Sequence, residues 1–271
     1  MKFFAALFLL VILAGCQSGI TKVLKSNDAA YKLRMAEQYY AKKKYALAQQ
    51  VYEDIMPYYR GQPEFEDIYY KYAYTAYYQK DYMNAENLFK GYLEIYPNTP
   101  RSEEVDFMRA YTFYKQSPKA ELDQTATHKA IGMLQTFINT HPGSARNKEA
   151  TAIIDQLRLK LETKDRKAAQ LYYDLGQYRA AAVAFNTMLN DFAESEKADE
   201  YKLMAIKAYF RFAELSVEEK RAERFQKVID EATDFMDRFP ESPLKKEVED
   251  FVNKSQNNLK IYTNEPVKTS T

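Results

Sequence analysis

Ala150, Ile153, Ile154, Leu157 and Leu161 fall three or four residues apart in a stretch free of glycine and proline, the period of one buried helix face. Comparable segments predict first helices near Ala29–Ala41, Phe65–Gln79, Glu103–Lys115, Asn147–Leu175 and Ala198–Leu215. A second helix follows each. The segments KKYALAQQVYEDIMPYY and KDYMNAENLFKGYLEIYP superimpose with Tyr45 on Tyr82, Ala48 on Ala85, Tyr52 on Phe89 and Ile55 on Tyr92. The same order of one small and two bulky positions returns as Ala130, Leu134, Phe137, as Ala181, Phe185, Met188, and more weakly as Val228, Ala232, Phe235. Between hairpins stand Tyr96-Pro97-Asn98-Thr99-Pro100, His141-Pro142-Gly143-Ser144 and Phe239-Pro240-Glu241-Ser242-Pro243, helix stops followed by a capping Ser or Thr. Asp191-Phe192-Ala193-Glu194-Ser195 fills the same slot without its proline.

A small residue that admits a crossing helix, followed by large ones that fill the gap to the next hairpin, marks the second helix of a tetratricopeptide (TPR) repeat. The expected fold is all-α, a right-handed solenoid of about five degenerate TPR hairpins. Leu244 to Leu259, with Val248, Phe251 and Val252 among charges, predicts a capping helix at its end. The expected organisation is a signal peptide over 1–15, a lipidated tether over 16–27, the solenoid over 28–260 and a flexible tail over 261–271.

The amino end gives the address. Lys2 precedes an apolar run from Phe3 to Ala14, shorter than the roughly 20 residues that span a bilayer but suited to a signal-peptide core. The run ends in Leu13-Ala14-Gly15-Cys16, and Cys16 is the only cysteine. This resembles a bacterial lipobox, which implies cleavage before Cys16 and an N-acyl, S-diacylglycerol lipid on it. The plain alternative is a secretory signal with a chance cysteine. One thiol excludes an intramolecular disulfide and leaves no cysteine cluster for zinc. Gln17 stands where an Asp would, by resemblance to enteric sorting, signal inner-membrane retention, and no acidic cluster follows. The expected location is the outer membrane, lipid-anchored and facing the periplasm.

Composition narrows the chemistry. With 7 Gly and 9 Pro against 24 Tyr and 16 Phe, turn residues are too few for a many-stranded sandwich and aromatics too many for disorder. Lys plus Arg total 39 and Asp plus Glu 38, so no charge excess draws in nucleic acid. Removal of residues 1–15 takes away one Lys and no acid, which leaves a neutral body whose attachment falls to acyl chains, at roughly 0.8 kcal/mol per buried CH₂. His128 and His141 are the only imidazoles, and no motif ties a nucleophile to either. Glu103-Glu104 and Glu218-Glu219 fall in helix-starting or loop segments, where carboxylates favour the helix dipole and stay hydrated. Lys42-Lys43-Lys44 reads first as a solvated turn and second as a contact for lipid headgroups. No catalytic residue, metal ligand or cofactor beyond the Cys16 lipid is expected.

One constellation is distinctive. Tyr69, Tyr70, Tyr72, Tyr74, Tyr77 and Tyr78 crowd one helix. If Tyr69, Tyr72, Ala73 and Ala76 face the core, Tyr70, Tyr74 and Tyr77 line the adjoining face, open to an extended peptide. Tyrosine suits such a surface, with large apolar area, few torsions and a wet hydroxyl. Packing of the three against a neighbouring helix is the competing reading.

The lipobox, Phe107-Met108-Arg109-Ala110, Asp123-Gln124-Thr125 and the stretch from Leu161 to Phe192 resemble the BamD (ComL/YfiO) family of outer-membrane assembly lipoproteins, in a form typical of the Bacteroidetes. Tyr172-Tyr173, Gly176, Tyr178 and Ala180-Ala181-Ala182 carry that resemblance most specifically. Ala110 replaces a usual Gly and Ala193 a usual Pro, which predicts an altered turn after the fourth repeat. The resemblance implies a non-catalytic subunit of the β-barrel assembly (BAM) machinery. By it, N-terminal repeats receive unfolded barrel proteins, with Tyr70, Tyr74 and Tyr77 as contacts. The turn Asn190, Asp191, Phe192 and the helices after it would dock on BamA, alongside other BAM subunits. The alternative is a periplasm-facing TPR adapter for another envelope complex, such as peptidoglycan synthesis or division.

Overall fold

The computed structural model describes residues 19–264. A short helix over residues 19–24 precedes eleven longer ones. These are α1 (Ala29–Ala41), α2 (Tyr45–Tyr59), α3 (Phe65–Tyr78), α4 (Tyr82–Ile95), α5 (Ser102–Gln116) and α6 (Thr125–Thr140). After them come α7 (Asn147–Asp174), α8 (Tyr178–Asp191), α9 (Ala198–Glu214), α10 (Glu218–Arg238) and α11 (Lys245–Asn264). No strand occurs among the described residues. The fold is all-α, with α1/α2 through α9/α10 as tandem TPR-type hairpins and α11 packed on the last.

The chain divides into two compact units, one ending at Leu157 and one beginning at Arg158. Both units lie within the stretch expected as the TPR solenoid, 28–260. The boundary falls inside α7, and its cause is visible along that helix. Ala150, Ile153, Ile154 and Leu157 are buried in the first unit and Ala169 in the second, but no residue between Leu157 and Ala169 is buried.

Every second-helix position singled out by the repeat pattern is in the core. Ala48, Tyr52 and Ile55, Ala85, Phe89 and Tyr92, Ala130, Leu134 and Phe137, Ala181, Phe185 and Met188, and Val228, Ala232 and Phe235 are all at most 2% exposed. Each such large side chain contributes roughly 1.5–3 kcal/mol through burial, which is why a degenerate motif still dictates the packing.

Three of the turns inside hairpins, α1/α2, α3/α4 and α7/α8, share one device. Lys44 N–H bonds Tyr39 C=O, Asp81 N–H bonds Ala76 C=O and Gln177 N–H bonds Tyr172 C=O, the long-range bond of a Schellman motif. That motif needs a left-handed residue, supplied by Lys43 (φ 56°), Lys80 (φ 64°) and Gly176 (φ 73°). The later turns between hairpins share another. His141, Phe192 and Phe239 end α6, α8 and α10 with nearly equal backbone angles and the same hydrogen bonds, to Phe137, Met188 and Phe235. The turn lacking proline at Ala193 therefore matches its neighbours, and the expected alteration there does not occur.

Ser144, Ser195 and Ser242 do not cap the following helices directly. Each accepts from the amide two residues on, at 3.1–3.2 Å, and donates to a carboxylate of the preceding first helix. The acceptors are Glu103, Glu162 and Asp199.

The segment expected as a free tether is partly folded. Ile20 and Val23, three residues apart, are 8% and 2% exposed in the core of the first hairpin, with Leu24 packed beside them. Apolar spacing on one helical face accounts for it. Cys16 and the end of the tail lie outside the described residues.

Candidate functional site

The aromatic field centres on α3, whose sequence FEDIYYKYAYTAYY places a tyrosine on nearly every face. Tyr74 is 5% exposed. Its ring meets Phe89 edge-on at 5.2 Å, and its hydroxyl donates to Glu104 of α5 at 2.7 Å. Half-buried Tyr70 donates to the other Glu104 oxygen at 3.1 Å and lies under the Arg101 guanidinium at 4.5 Å. Burial pushes both hydroxyl pKa values up, reinforced at Tyr74 by its hydrogen bond to Glu104, so both remain neutral donors. Tyr77 is half-buried among Tyr74, Tyr78, Tyr82 and Tyr111, at ring separations of 5.6–6.4 Å.

The open-face reading is thus corrected for Tyr74, which is a core residue, while Tyr70 and Tyr77 keep part of their rings accessible. Tyr69 and Tyr72, assigned to the core, are only half-buried. Glu104 explains the exchange, because it gives two phenols a partner and so lets Tyr74 turn inward without an orphaned hydroxyl.

The accessible aromatic surface lies farther along. Tyr78, 44% exposed, stacks on Tyr45 at 4.5 Å with rings 23° apart. Tyr40 meets both edge-on. From Tyr77 the contacts continue to Tyr82 and Tyr111, and from Tyr111 to Tyr114 at 5.3 Å. The Lys115 ammonium stands 5.0 and 5.6 Å over the last two rings. An aromatic shelf therefore crosses the ends of α1, α3 and α5 and the starts of α2 and α4. It offers apolar area tipped with hydroxyls and one cation. The signal for it was present in the repeats: tyrosine closes these first helices and opens two of the second ones.

In the second unit, Asn190 and Asp191 are exposed, but Phe192 is half-buried against the cluster of Phe185, Met188 and Tyr201 and acts as the C-cap of α8. The turn thus presents two of its three expected contact residues. Leu171, Leu175, Val183, Leu215 and Val217 are each more than half exposed.

The remaining chemistry is accounted for. His128 is exposed, and His141 Nε2 lies 3.2 Å from Asp106 with its ring against Phe137. Glu103 holds Ser144 and Glu104 the two tyrosines, so that pair serves packing. Among the described residues no group of three His, Cys, Asp or Glu is arranged to hold a metal, and no helix is long and apolar enough to cross a membrane.

Residues 25–224 match the sequence family YfiO, described as outer membrane lipoprotein. The chain belongs to this family. Among curated proteins none matches. Of solved structures, the TPR2AB-domain:pHSP90 complex of yeast Sti1 is 12% identical, covering 84% of this chain and 98% of its own, with a TM-score of 0.38. A TPR repeats protein from Bacteroides fragilis is 14% identical, covering 86% of this chain and 100% of its own, with a TM-score of 0.37.

Proposed function

We propose that this outer membrane lipoprotein is a non-catalytic, periplasm-facing subunit of the BAM machinery, anchored by the lipid on Cys16. Its first unit receives unfolded barrel proteins and its second docks on BamA. Membership of the YfiO family over most of the chain is the observation that carries this reading. The tyrosine shelf supports the substrate role, since the last strand of a barrel presents alternating aromatics that such a surface accommodates. Tyr70 and Tyr77 contribute at its margin, with Tyr45, Tyr78, Tyr82 and Tyr111. Asn190 and Asp191, with the exposed apolar side chains of the second unit, support the docking role. Exposed Leu, Val and Tyr residues on a repeat scaffold gain most by being covered by a partner.

Recovery of the tagged protein from membranes tests the assignment. BamA should dominate the co-purifying proteins, and a Leu215→Asp/Val217→Asp variant, altered only at exposed positions, should keep its melting temperature and lose most of the BamA. Recovery of a peptidoglycan-synthesis or division complex in place of BamA would establish the adapter reading instead.

A further inference from the structure

The short helix over residues 19–24 has two unlike sides. One carries Ile20 and Val23 into the first hairpin, which fixes the segment to the body. The other opens on a shallow, solvent-open cleft of about 680 Å³ lined by Thr21, Lys22, Lys25, Ser26 and Tyr31. None of these five carries a carboxylate; Asp28, between Ser26 and Tyr31 in sequence, commits one carboxylate oxygen to the Tyr31 amide at 2.9 Å. Lys22 and Lys25 stand one helical turn apart, both exposed, and neither forms an ion pair with a described residue. Ser26 Oγ accepts the Asp28 amide at 3.2 Å, which holds the cleft floor in place.

Chain length sets where this cleft sits. Three peptide links join Cys16 to Gly19, a reach of roughly 11 Å at most. A lipid on Cys16 therefore puts Lys22 and Lys25 within reach of the headgroup layer of the leaflet that holds it. The other basic run does not share that position. Lys42-Lys43-Lys44 follows the far end of α1, whose 13 residues span about 20 Å.

We infer that the cleft between residues 21 and 31 receives the phosphate of an anionic phospholipid headgroup and so orients the first hairpin on the membrane. This rests on the lipid-anchor reading of Cys16. Two ammonium groups on flexible stems suit a phosphate as point charges, and Tyr31 supplies an amphipathic ring of the kind favoured at membrane interfaces. Two lysines bind a surface weakly by themselves, but the anchor holds the headgroups at high effective concentration beside them. The contact therefore orients a body that the lipid already retains.

The acylated full-length protein tests this. In it the Cys16 sulfur is a thioether, so Ala30→Cys adds the only free thiol, at an exposed position next to Tyr31 in sequence. A fluorophore there is read in vesicles bearing a headgroup-linked quencher, made of phosphatidylcholine alone or with phosphatidylglycerol. Quenching should rise about threefold with phosphatidylglycerol at low salt and fall back as salt screens it. Lys22→Gln/Lys25→Gln should abolish that rise, and Lys22→Arg/Lys25→Arg should keep it. Equal quenching in wild type and the Gln variant overturns the inference. Inorganic phosphate alone shifting the label as strongly as vesicles would make the cleft a soluble-anion site, which also overturns it. Intact mass reads the anchor separately: a chain without acyl mass on Cys16 fails the lipid reading itself.

Discussion

Two glycines inside helices have opposite surroundings. A Cβ at Gly91 of α4 would collide with the Tyr69 hydroxyl oxygen, whereas one at Gly132 of α6 would meet nothing within 4 Å. Helix propensity favours Ala over Gly by about 1 kcal/mol at both sites. At Gly132 that gain is uncontested, so Gly132→Ala should stabilise by about 0.5–1 kcal/mol. At Gly91 overpacking costs roughly 1–3 kcal/mol and wins, so Gly91→Ala should lower stability. In a Tyr69→Phe background the obstructing oxygen is gone, and the same substitution should become neutral or stabilising. Denaturant titration of the four proteins in this cycle decides it: an equal effect of Gly91→Ala in both backgrounds would show that Tyr69 does not shape this position. Tyr74 teaches the complementary lesson about the sequence. Its spacing from Tyr70 and Tyr77 is helical and was readable. Its inward turn depends on Glu104, thirty residues away on α5, and no local pattern announces that partner.

At the scale of elements, local signals sufficed wherever one short segment sets its own geometry. Four small-large-large patterns and a weaker fifth, Val228, Ala232, Phe235, predicted the buried second helices because period and side-chain volume are local properties. The division within α7 was not legible, since an unbroken helical stretch gives no sign of which half packs where. Nor was the packing of Ile20 and Val23, two apolar residues in a polar context whose partner hairpin lies downstream. The turns between hairpins were only half legible: loss of the proline at Ala193 suggested a change, yet the hydrogen bonds of Phe192 and Ser195 repeat those of His141 and Ser144. The turn geometry is therefore set by the aromatic or imidazole C-cap and the serine, with proline adding stiffness. Ala193→Pro should accordingly stabilise by about 0.4–1 kcal/mol, through the unfolded chain, without moving the turn. A melting temperature that falls would mean that the backbone at 193 differs from that at Pro142 and Pro240.

Over the whole molecule, charge and phenol burial set opposite pH limits. Burial pushes the Asp67 carboxyl up, but hydrogen bonds and charge from Lys71 and Arg101 outweigh it and hold it below the usual aspartate range. In the second unit, burial likewise pushes Glu231 up, and Lys202, Lys227 and Asn186 more than reverse it. Lys202, itself 3% exposed, meets Glu231 at 2.6 Å and Asp234 at 2.5 Å. Asp67 and Glu231 thus have depressed folded pKa values, so their contribution is full above the unfolded values near 4 and is lost as pH falls through the folded ones. The phenols work the other way. Tyr52, Tyr74, Tyr92 and Tyr201 are pushed up, chiefly by burial and then by nearby carboxylates, so the stability they contribute is present below about pH 10 and declines above it. Stability should therefore form a plateau from about pH 5 to pH 10 with a drop on each side. Glu231→Gln isolates one acid group. It keeps the size of the side chain but leaves buried Lys202 with Asp234 as its remaining anion, and should cost about 1–3 kcal/mol at pH 7. As pH falls through the depressed folded pKa the wild-type carboxyl loses its charge as well, so the two proteins should converge down the acid limb. Urea unfolding at pH 7 and at successive steps below pH 5 reads the difference directly. A gap that stays the same size until the wild type itself unfolds would assign the loss to hydrogen bonding and packing at α10, and would remove Glu231 from the acid limb.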